Sequence, residues 1–289
     1  MKIRAKKPSW LTRRLPSGPD YEKVRVLMNQ GRLHTVCQEA KCPNIWECFS
    51  NSTATFLILG DRCTRNCRFC AVAKGPIELP DPEEPPRVAA AVRDLSLLYV
   101  VITSVTRDDL PDGGAGHFAE TIREIHASTP KAIIEVLIPD FQGSREALRI
   151  VLDAGPDVLN HNIETVPRLY PTVRPGADYR RSLLQLERVQ GISAPTLTKS
   201  GLMLGFGETR AEIEQTLKDL LDVGCRMLTL GQYLQPSKNH LPVARFVHPE
   251  EFDHWKNTAL ELGFSDVASG PFVRSSYHAK ELFHASGNH

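Results

Sequence analysis

From Thr53 onward the chain alternates two hydrophobic patterns. Short β-branched or leucine-rich runs recur between amphipathic stretches whose apolar positions return at helical spacing. The runs predict strands over Thr53–Leu59, Leu97–Thr103, Ala132–Ile138, Val158–His161, Thr196–Leu204 and Met227–Gly231. The stretches between and after them predict helices over Arg87–Leu95, Gly116–Ser128, Ser144–Asp153, Tyr179–Gln190, Thr209–Asp222 and Pro249–Leu262. Six strands each followed by a helix call for a parallel sheet, because parallel neighbours need crossovers of about a dozen residues or more and helices supply them. An open or closed barrel fits better than a sandwich, and a doubly wound open sheet is the alternative that periodicity leaves standing.

The flanks differ. Residues 1–50 carry scattered prolines, many charges and a helix-like patch only from Asp20 to Leu33, and read as an extension. Residues 51–270 form the alternating unit, and the tail 271–289 lies outside it. Leu79 to Pro86, with four prolines and three acidic residues, reads as a rigid surface connection. Polar residues gather at or just beyond the expected C-terminal ends of the strands: Thr103, Ser104, Asn160, His161, Asn162, Glu164, Lys199 and Gln232. Barrels place their active sites at that end.

Composition narrows the function classes. Hydrophobic residues make up 41% and charged residues 24% of the 289, enough for a sizeable core beneath a polar surface. With 35 basic against 34 acidic residues the formal charge is +1, which argues against bulk binding to nucleic acid or anionic membrane. No apolar run approaches the 18–20 residues of a membrane span, and no apolar segment follows the basic start. Cytoplasmic residence in a reducing compartment is the default expectation. Seven cysteines, six of them between Cys37 and Cys70, point to metal binding rather than a disulfide framework.

Those six form two triplets: Cys37, Cys42 and Cys48 at C-x4-C-x5-C spacing, then Cys63, Cys67 and Cys70 at C-x3-C-x2-C spacing. Neither supplies the four ligands that close a structural zinc site. A cluster held by three cysteines accounts better for the second triplet, since its fourth iron is left open to bind a small molecule. The triplet follows the first expected strand, at the catalytic rim. Arg62, Arg65 and Arg68 beside it either offset cluster charge or are solvated loop residues.

The run Cys63-Thr64-Arg65-Asn66-Cys67-Arg68-Phe69-Cys70 resembles the signature of radical S-adenosylmethionine (SAM) enzymes, with an aromatic residue just before the last cysteine. The first triplet, followed after fourteen residues by the second, looks like that of the lipoyl synthases. Arg274-Ser275-Ser276-Tyr277-His278-Ala279 matches the R-S-S-Y-x-A motif of the same family. The likeness extends through Ser104 to Gly114, Asn160 to Thr165 and Lys199 to Glu208, and so covers nearly the whole chain.

The resemblance implies a partial (β/α)6 TIM-type barrel whose open side the N-terminal extension and the C-terminal tail close over. It implies two 4Fe-4S clusters. Cys63, Cys67 and Cys70 hold one, whose open iron chelates SAM; one electron then cleaves SAM to methionine and a 5′-deoxyadenosyl radical. Cys37, Cys42 and Cys48 hold an auxiliary cluster that gives up its sulfide, with Ser276 as fourth ligand and Ser275 as the runner-up. The substrate class is an octanoyl chain amide-linked to a carrier lysine, with sulfur inserted at C6 and C8. Those C–H bonds have no neighbouring carbonyl to acidify them, so acid–base chemistry cannot remove their hydrogens and a radical is required. Phe69, Ser104, Asn162, Glu164 and Lys199 are the candidates for the SAM pocket.

The implied partners are octanoylated lipoyl carrier proteins (2-oxoacid dehydrogenase E2 subunits and the glycine cleavage H protein), an electron donor such as ferredoxin or flavodoxin, and a carrier that repairs the auxiliary cluster. Neither nucleic acid nor membrane is among them. The competing readings are a biotin-synthase-type sulfur inserter, an electron-transfer protein, and a zinc- or cluster-binding module without enzymatic activity.

Overall fold

The computed structural model describes residues 7–12, 19–40, 42–50, 55–276, 279, 281 and 283. Thr53 and Ala54 of the first expected strand, and Tyr277 and His278 of the tail motif, lie outside the described residues. The elements in order are α1 (Pro19–Gln30), β1 (His34–Thr35), α2 (Val36–Glu39), α3 (Ile45–Ser50), β2 (Thr55–Ile58), α4 (Glu84–Asp94), β3 (Tyr99–Ser104), α5 (Ala115–Ser128) and β4 (Ile133–Leu137). They continue as α6 (Arg145–Leu152), β5 (Val158–Asn160), α7 (Tyr170–Val173), α8 (Tyr179–Ile192), β6 (Leu197–Leu204), α9 (Arg210–Asp222), β7 (Met227–Gln232), α10 (Pro249–Leu262) and β8 (Asp266–Gly270).

All eight strands join one sheet in chain order, and β2 through β8 run parallel. β1 is antiparallel to β2, and β1 and β8 are the two edges, so the sheet is an open arc of the partial-barrel kind. The six expected strands and their helices are all present. Two strands were not legible. β1 is two residues long, too short for any periodicity, and β8 reads Asp-Val-Ala-Ser-Gly, with a single large apolar residue. Among the described residues the sheet therefore has eight strands where the hydrophobic pattern predicts six.

Helix ends follow local chemistry. The Ser144 and Asp178 side chains accept the Ala147 and Arg181 backbone N–H groups at the starts of α6 and α8, and Thr209 with Glu212 forms a capping box at α9. Pro249 opens α10, and Gly263, at φ 117°, closes it in the left-handed region.

The two faces of the strands bury different things. Phe56, Ile58, Val100, Ile102, Ile134, Val136, Leu228 and Leu230 belong to the core shared with the helices. The alternate positions Tyr99, Val101, Val158 and Met227 form a second cluster with Ala279 and Phe283 of the tail, and the Phe283 ring meets Tyr99 edge-on at 5.9 Å. The tail thus packs its apolar residues into the inner face of the arc.

Among these inner residues lies a buried polar group. Lys199 Nζ is 2.9 Å from both oxygens of Glu135, and both side chains are 0% exposed. The Tyr99 hydroxyl and Asn160 Nδ2 donate to the same carboxylate at 2.7 and 2.9 Å. Burial, ahead of the Glu135 charge, pushes the Tyr99 phenol up, so it stays a donor. Strands β3, β4, β5 and β6 are cross-linked by this one carboxylate.

Removing one partner strands the other charge in the interior. Glu135→Gln is expected to lower unfolding free energy by about 3–5 kcal/mol, while Glu135→Gln with Lys199→Met recovers most of the loss. Chemical denaturation of the two variants checks this.

Candidate active site

The second cysteine triplet occupies the loop that leaves β2, where Leu59 (φ 67°) and Gly60 (φ 87°) turn the chain out of the sheet. The loop is braced on three sides. Cys63 N donates to Ala73 O, Thr64 N to Thr106 O beyond β3, and Arg68 N to Val173 O, each at 3.0 Å. Arg65 is buried and bidentate on Asp108 (2.7 and 2.9 Å), and it also donates to the fully buried Asp140 at 2.6 Å. Burial alone would lower its pKa, but these carboxylates outweigh burial and raise it. Arg65 is therefore not a solvated loop residue: it is the clamp that ties the cysteine loop to the ends of β3 and β4.

The Cys63 sulfur accepts backbone N–H groups from Arg65 (3.4 Å) and Thr106 (3.3 Å). Burial pushes the Cys67 thiol up and the Cys70 thiol up to about 11, so a thiolate at either position would need a positive charge beside it. None of the seven cysteines is in a disulfide. Among the described residues no three His, Cys, Asp or Glu side chains converge as a single metal ion would need. The donor set, three half-buried sulfurs on one braced loop with two backbone N–H groups on Cys63, fits an iron–sulfur cluster with an open iron.

A segment without any motif or periodicity of its own completes this side. Between β7 and α10, residues 233–248 run back over the cysteine loop. Leu241 N donates to Arg68 O at 3.0 Å, and the Tyr233 hydroxyl holds Leu241 O at 2.7 Å. The His240 ring spans Ser237 Oγ (2.8 Å) and the Cys70 carbonyl (2.9 Å). The carbonyl can only accept, so Nε2 donates to it.

The first triplet is assembled by short local structure. Thr35 caps α2, accepting from Gln38 N, and α2 carries the buried Cys37. Cys42 N donates to Cys37 O at 3.1 Å, and Cys48 on α3 donates its N–H to Asn44 O at 3.0 Å. A Cys48 hydrogen bond, then burial, holds the Cys37 thiol well above its ordinary value, so these two sulfurs are adjacent. Asn44, fully buried, donates to the Phe272 carbonyl at 2.7 Å and leaves its Oδ1 unpartnered. The tail crosses the end of β7 here, where a Cβ on Gly231 would overlap the Val273 carbonyl.

The tail then meets the rim. Asn162 Nδ2 donates to Ser275 Oγ at 3.0 Å and to Glu164 Oε1 at 3.1 Å. Ser276 makes no side-chain hydrogen bond to a described residue. Burial lowers the pKa of Arg274, against the opposing pull of Cys42 and Glu164, and burial raises that of Glu164, against Arg174 and then Asn162. Arg174 in turn acts on Cys67. A run of charged side chains, Arg174, Glu164 and Arg274, therefore connects the second triplet to the first.

Of the residues expected to line a cofactor pocket, Ser104 and Asn162 each present a buried oxygen with no partner, as Asn160 Oδ1, His161 Nε2 and Arg174 Nε do with their polar atoms. Unpaired buried polar groups are costly, and a polar ligand seated here would satisfy them. Phe69 approaches Phe206 at 6.3 Å, and Phe206 stacks on Tyr233 at 4.2 Å, giving an aromatic wall. Lys199 and Gln232 are placed otherwise. Lys199 is committed to Glu135, and Gln232 is fully buried on the backbone of Leu204, Tyr233, Arg245 and Val247. Arg174, Asn44 and His240 went unseen because each is a single polar residue in a loop, without spacing or periodicity to mark it.

Comparison with known proteins agrees with this geometry. The radical SAM superfamily profile matches residues 57–220, and that of the N-terminal domain of lipoyl synthase matches residues 1–42. The lipoyl synthase of Desulfotalea psychrophila is 59% identical over 97% of this chain and 94% of its own length. That of Caldicellulosiruptor saccharolyticus is 55% identical over 96% and 98%. A crystal structure of methylornithine synthase, 14% identical, superposes with a TM-score of 0.54 over 84% of this chain and 73% of that one, which shows the shared fold.

His240→Ala leaves the Cys70 carbonyl unpaired and frees the loop at that end. Iron bound after anaerobic reconstitution is expected to fall from about eight toward about four per chain, with His240→Gln intermediate. Iron and acid-labile sulfide analysis checks this.

Proposed function

The chain belongs to the lipoyl synthase family of the radical SAM superfamily, and we propose the roles its own residues take in that chemistry. The protein is a radical SAM sulfur-inserting enzyme that converts a protein-bound octanoyl chain to the lipoyl group, adding sulfur at C6 and C8. Cys63, Cys67 and Cys70 hold the cluster that binds SAM, and Cys37, Cys42 and Cys48 with Ser276 hold a second, auxiliary cluster. When bound, these groups supply a hydrogen-abstracting radical and sulfide, neither of which any side chain can provide.

The observation that carries the two-cluster reading is the pair of hydrogen bonds from Asn44 to Phe272 O and from Asn162 to Ser275 Oγ. They bring the first triplet and the serine motif to the rim where the second triplet lies. They also favour Ser276 over Ser275 as the oxygen ligand, because Ser275 is already held by Asn162. An oxygen ligand is harder than thiolate and mismatched to a soft sulfide cluster, so its iron is the one most readily released as sulfur leaves.

The remaining residues bind and orient. Ser104, Asn162 and Arg174 offer polar atoms to SAM, and the wall of Phe69, Phe206 and Tyr233 gives its adenosine an apolar surface. Residues 1–50 and 271–289 act as the extension and tail that bring the auxiliary site to the barrel formed by 51–270. The open edge between β1 and β8 leaves room for a carrier-borne acyl chain to enter. The substrates are lipoyl carrier domains. Electron supply by a ferredoxin or flavodoxin, repair of the auxiliary cluster by a sulfide carrier, and cytoplasmic residence complete the reading. No helix among the described residues is long and apolar enough to cross a membrane.

Anaerobic incubation with SAM, dithionite and an octanoyl-lysine peptide, read by mass spectrometry, tests the assignment. Wild type is expected to add two sulfurs. Ser276→Ala should still cleave SAM and add none, and Ser275→Ala should retain part of the insertion. The reverse order for the two serines would move the ligand to Ser275, and SAM cleavage without sulfur addition by wild type would point to another substrate.

A further inference from the structure

The outer side of the second cysteine loop carries three cations without a carboxylate partner among the described residues: exposed Arg68 and Lys238, and half-buried Lys74. The other cations of the loop are compensated, Arg62 by Asp61 at 3.7 Å and Arg65 by Asp108 and Asp140. The three come from two segments that are locked together. Leu241 N bonds Arg68 O, and the turn from Ser237 to His240, with Lys238 and Asn239 at its exposed corners, holds the Cys70 carbonyl through His240. Lys74 follows Ala73, whose carbonyl accepts from Cys63 N, and its charge reaches Cys67 and Cys70. A cationic rim therefore borders one triplet, on a chain whose overall charge is only +1.

We propose that this rim is the docking surface for an acidic one-electron donor protein, carrying a flavin or an iron–sulfur centre, that reduces the cluster held by Cys63, Cys67 and Cys70. The step is a bare electron transfer: the donor's reduced centre loses one electron, the cluster gains it, and no bond forms or breaks. The inference rests on the radical SAM reading of that triplet.

Two physical points select this occupant over the acyl carrier. The carrier must deliver its chain to the space between the triplets, where Arg174, Glu164 and Arg274 lie, whereas the rim borders the second triplet alone. Electron transfer tolerates a thin layer of protein between partners, and carbon–sulfur bond formation does not. Exposed charges such as Arg68 and Lys238 are screened by water and do little for buried thiols, but together they speed encounter with a surface of opposite sign.

The test uses the reconstituted holoenzyme with Lys238→Glu and, separately, Asn239→Glu, which adds a negative charge without removing any side-chain contact. The donor is a flavodoxin with an acidic surface, supplied as the hydroquinone. Stopped-flow absorbance reads cluster reduction, and titration reads binding of the two proteins. At low salt each variant should be reduced about tenfold more slowly by flavodoxin and bind it more weakly, and the difference should vanish at about 0.5 M salt. Reduction by dithionite should be unchanged, and Lys238→Arg should behave as wild type. Unchanged flavodoxin binding and reduction would overturn the proposal, as would an equal loss with dithionite. A raised KM for an octanoylated carrier domain in dithionite assays would also overturn it, making the rim a carrier seat. Failure of wild type to insert sulfur with dithionite would instead count against the lipoyl synthase reading and leave the docking result to stand on its own.

Discussion

Two asparagines hold the candidate site in one piece. Asn44 reaches from the loop of the first cysteine triplet to the Phe272 carbonyl, and Asn162 reaches from the end of β5 to the Ser275 hydroxyl. Between them the tail is pinned across the end of β7, at a glycine that alone permits so close a backbone approach. Without those contacts the N-terminal extension, the tail and the rim would be three separate segments, each with a fragment of a ligand set. Both asparagines sit where water is excluded, so each bond avoids leaving a donor unpaired, a cost of about 1–3 kcal/mol apiece.

The arc beneath is built to hold still while the rim does chemistry. Its outer face is apolar against the helices, whereas its inner face carries the Glu135–Lys199 pair and the packed end of the tail. Phe283 against Tyr99 and Ser275 against Asn162 fix the same short tail at two heights. Placement of the serines thus depends on packing well below them. Above, the cysteine loop is gripped by Arg65 from one side and His240 from the other, so the protein's own side chains brace it.

Much of this was legible in the sequence, for physical reasons. Strands β2 to β7 bury large apolar residues at regular intervals, and the six following helices show the complementary periodicity, so element type and parallel order could be read directly. The triplets could be read because ligand spacing is local. β8 could not, since an Asp-Val-Ala-Ser-Gly strand carries almost no hydrophobic signal, nor could β1 at two residues. Long-range polar partners were equally silent. Lys199 looked like a pocket residue from its place in the chain, and only the fold shows Glu135, 64 positions away, taking its charge. Arg65 looked like a loop cation, and only the fold shows Asp140 beneath it.

The central claim is that sulfide held at the first triplet becomes the sulfur of the product. Apoprotein reconstituted with 34S-sulfide and allowed a single turnover in unlabelled buffer tests it directly by mass spectrometry of the acyl chain. The account predicts that both inserted sulfurs carry the label, and that the label fails to transfer in Cys37→Ala. Product containing sulfur of natural abundance, or labelled product from Cys37→Ala, would contradict it.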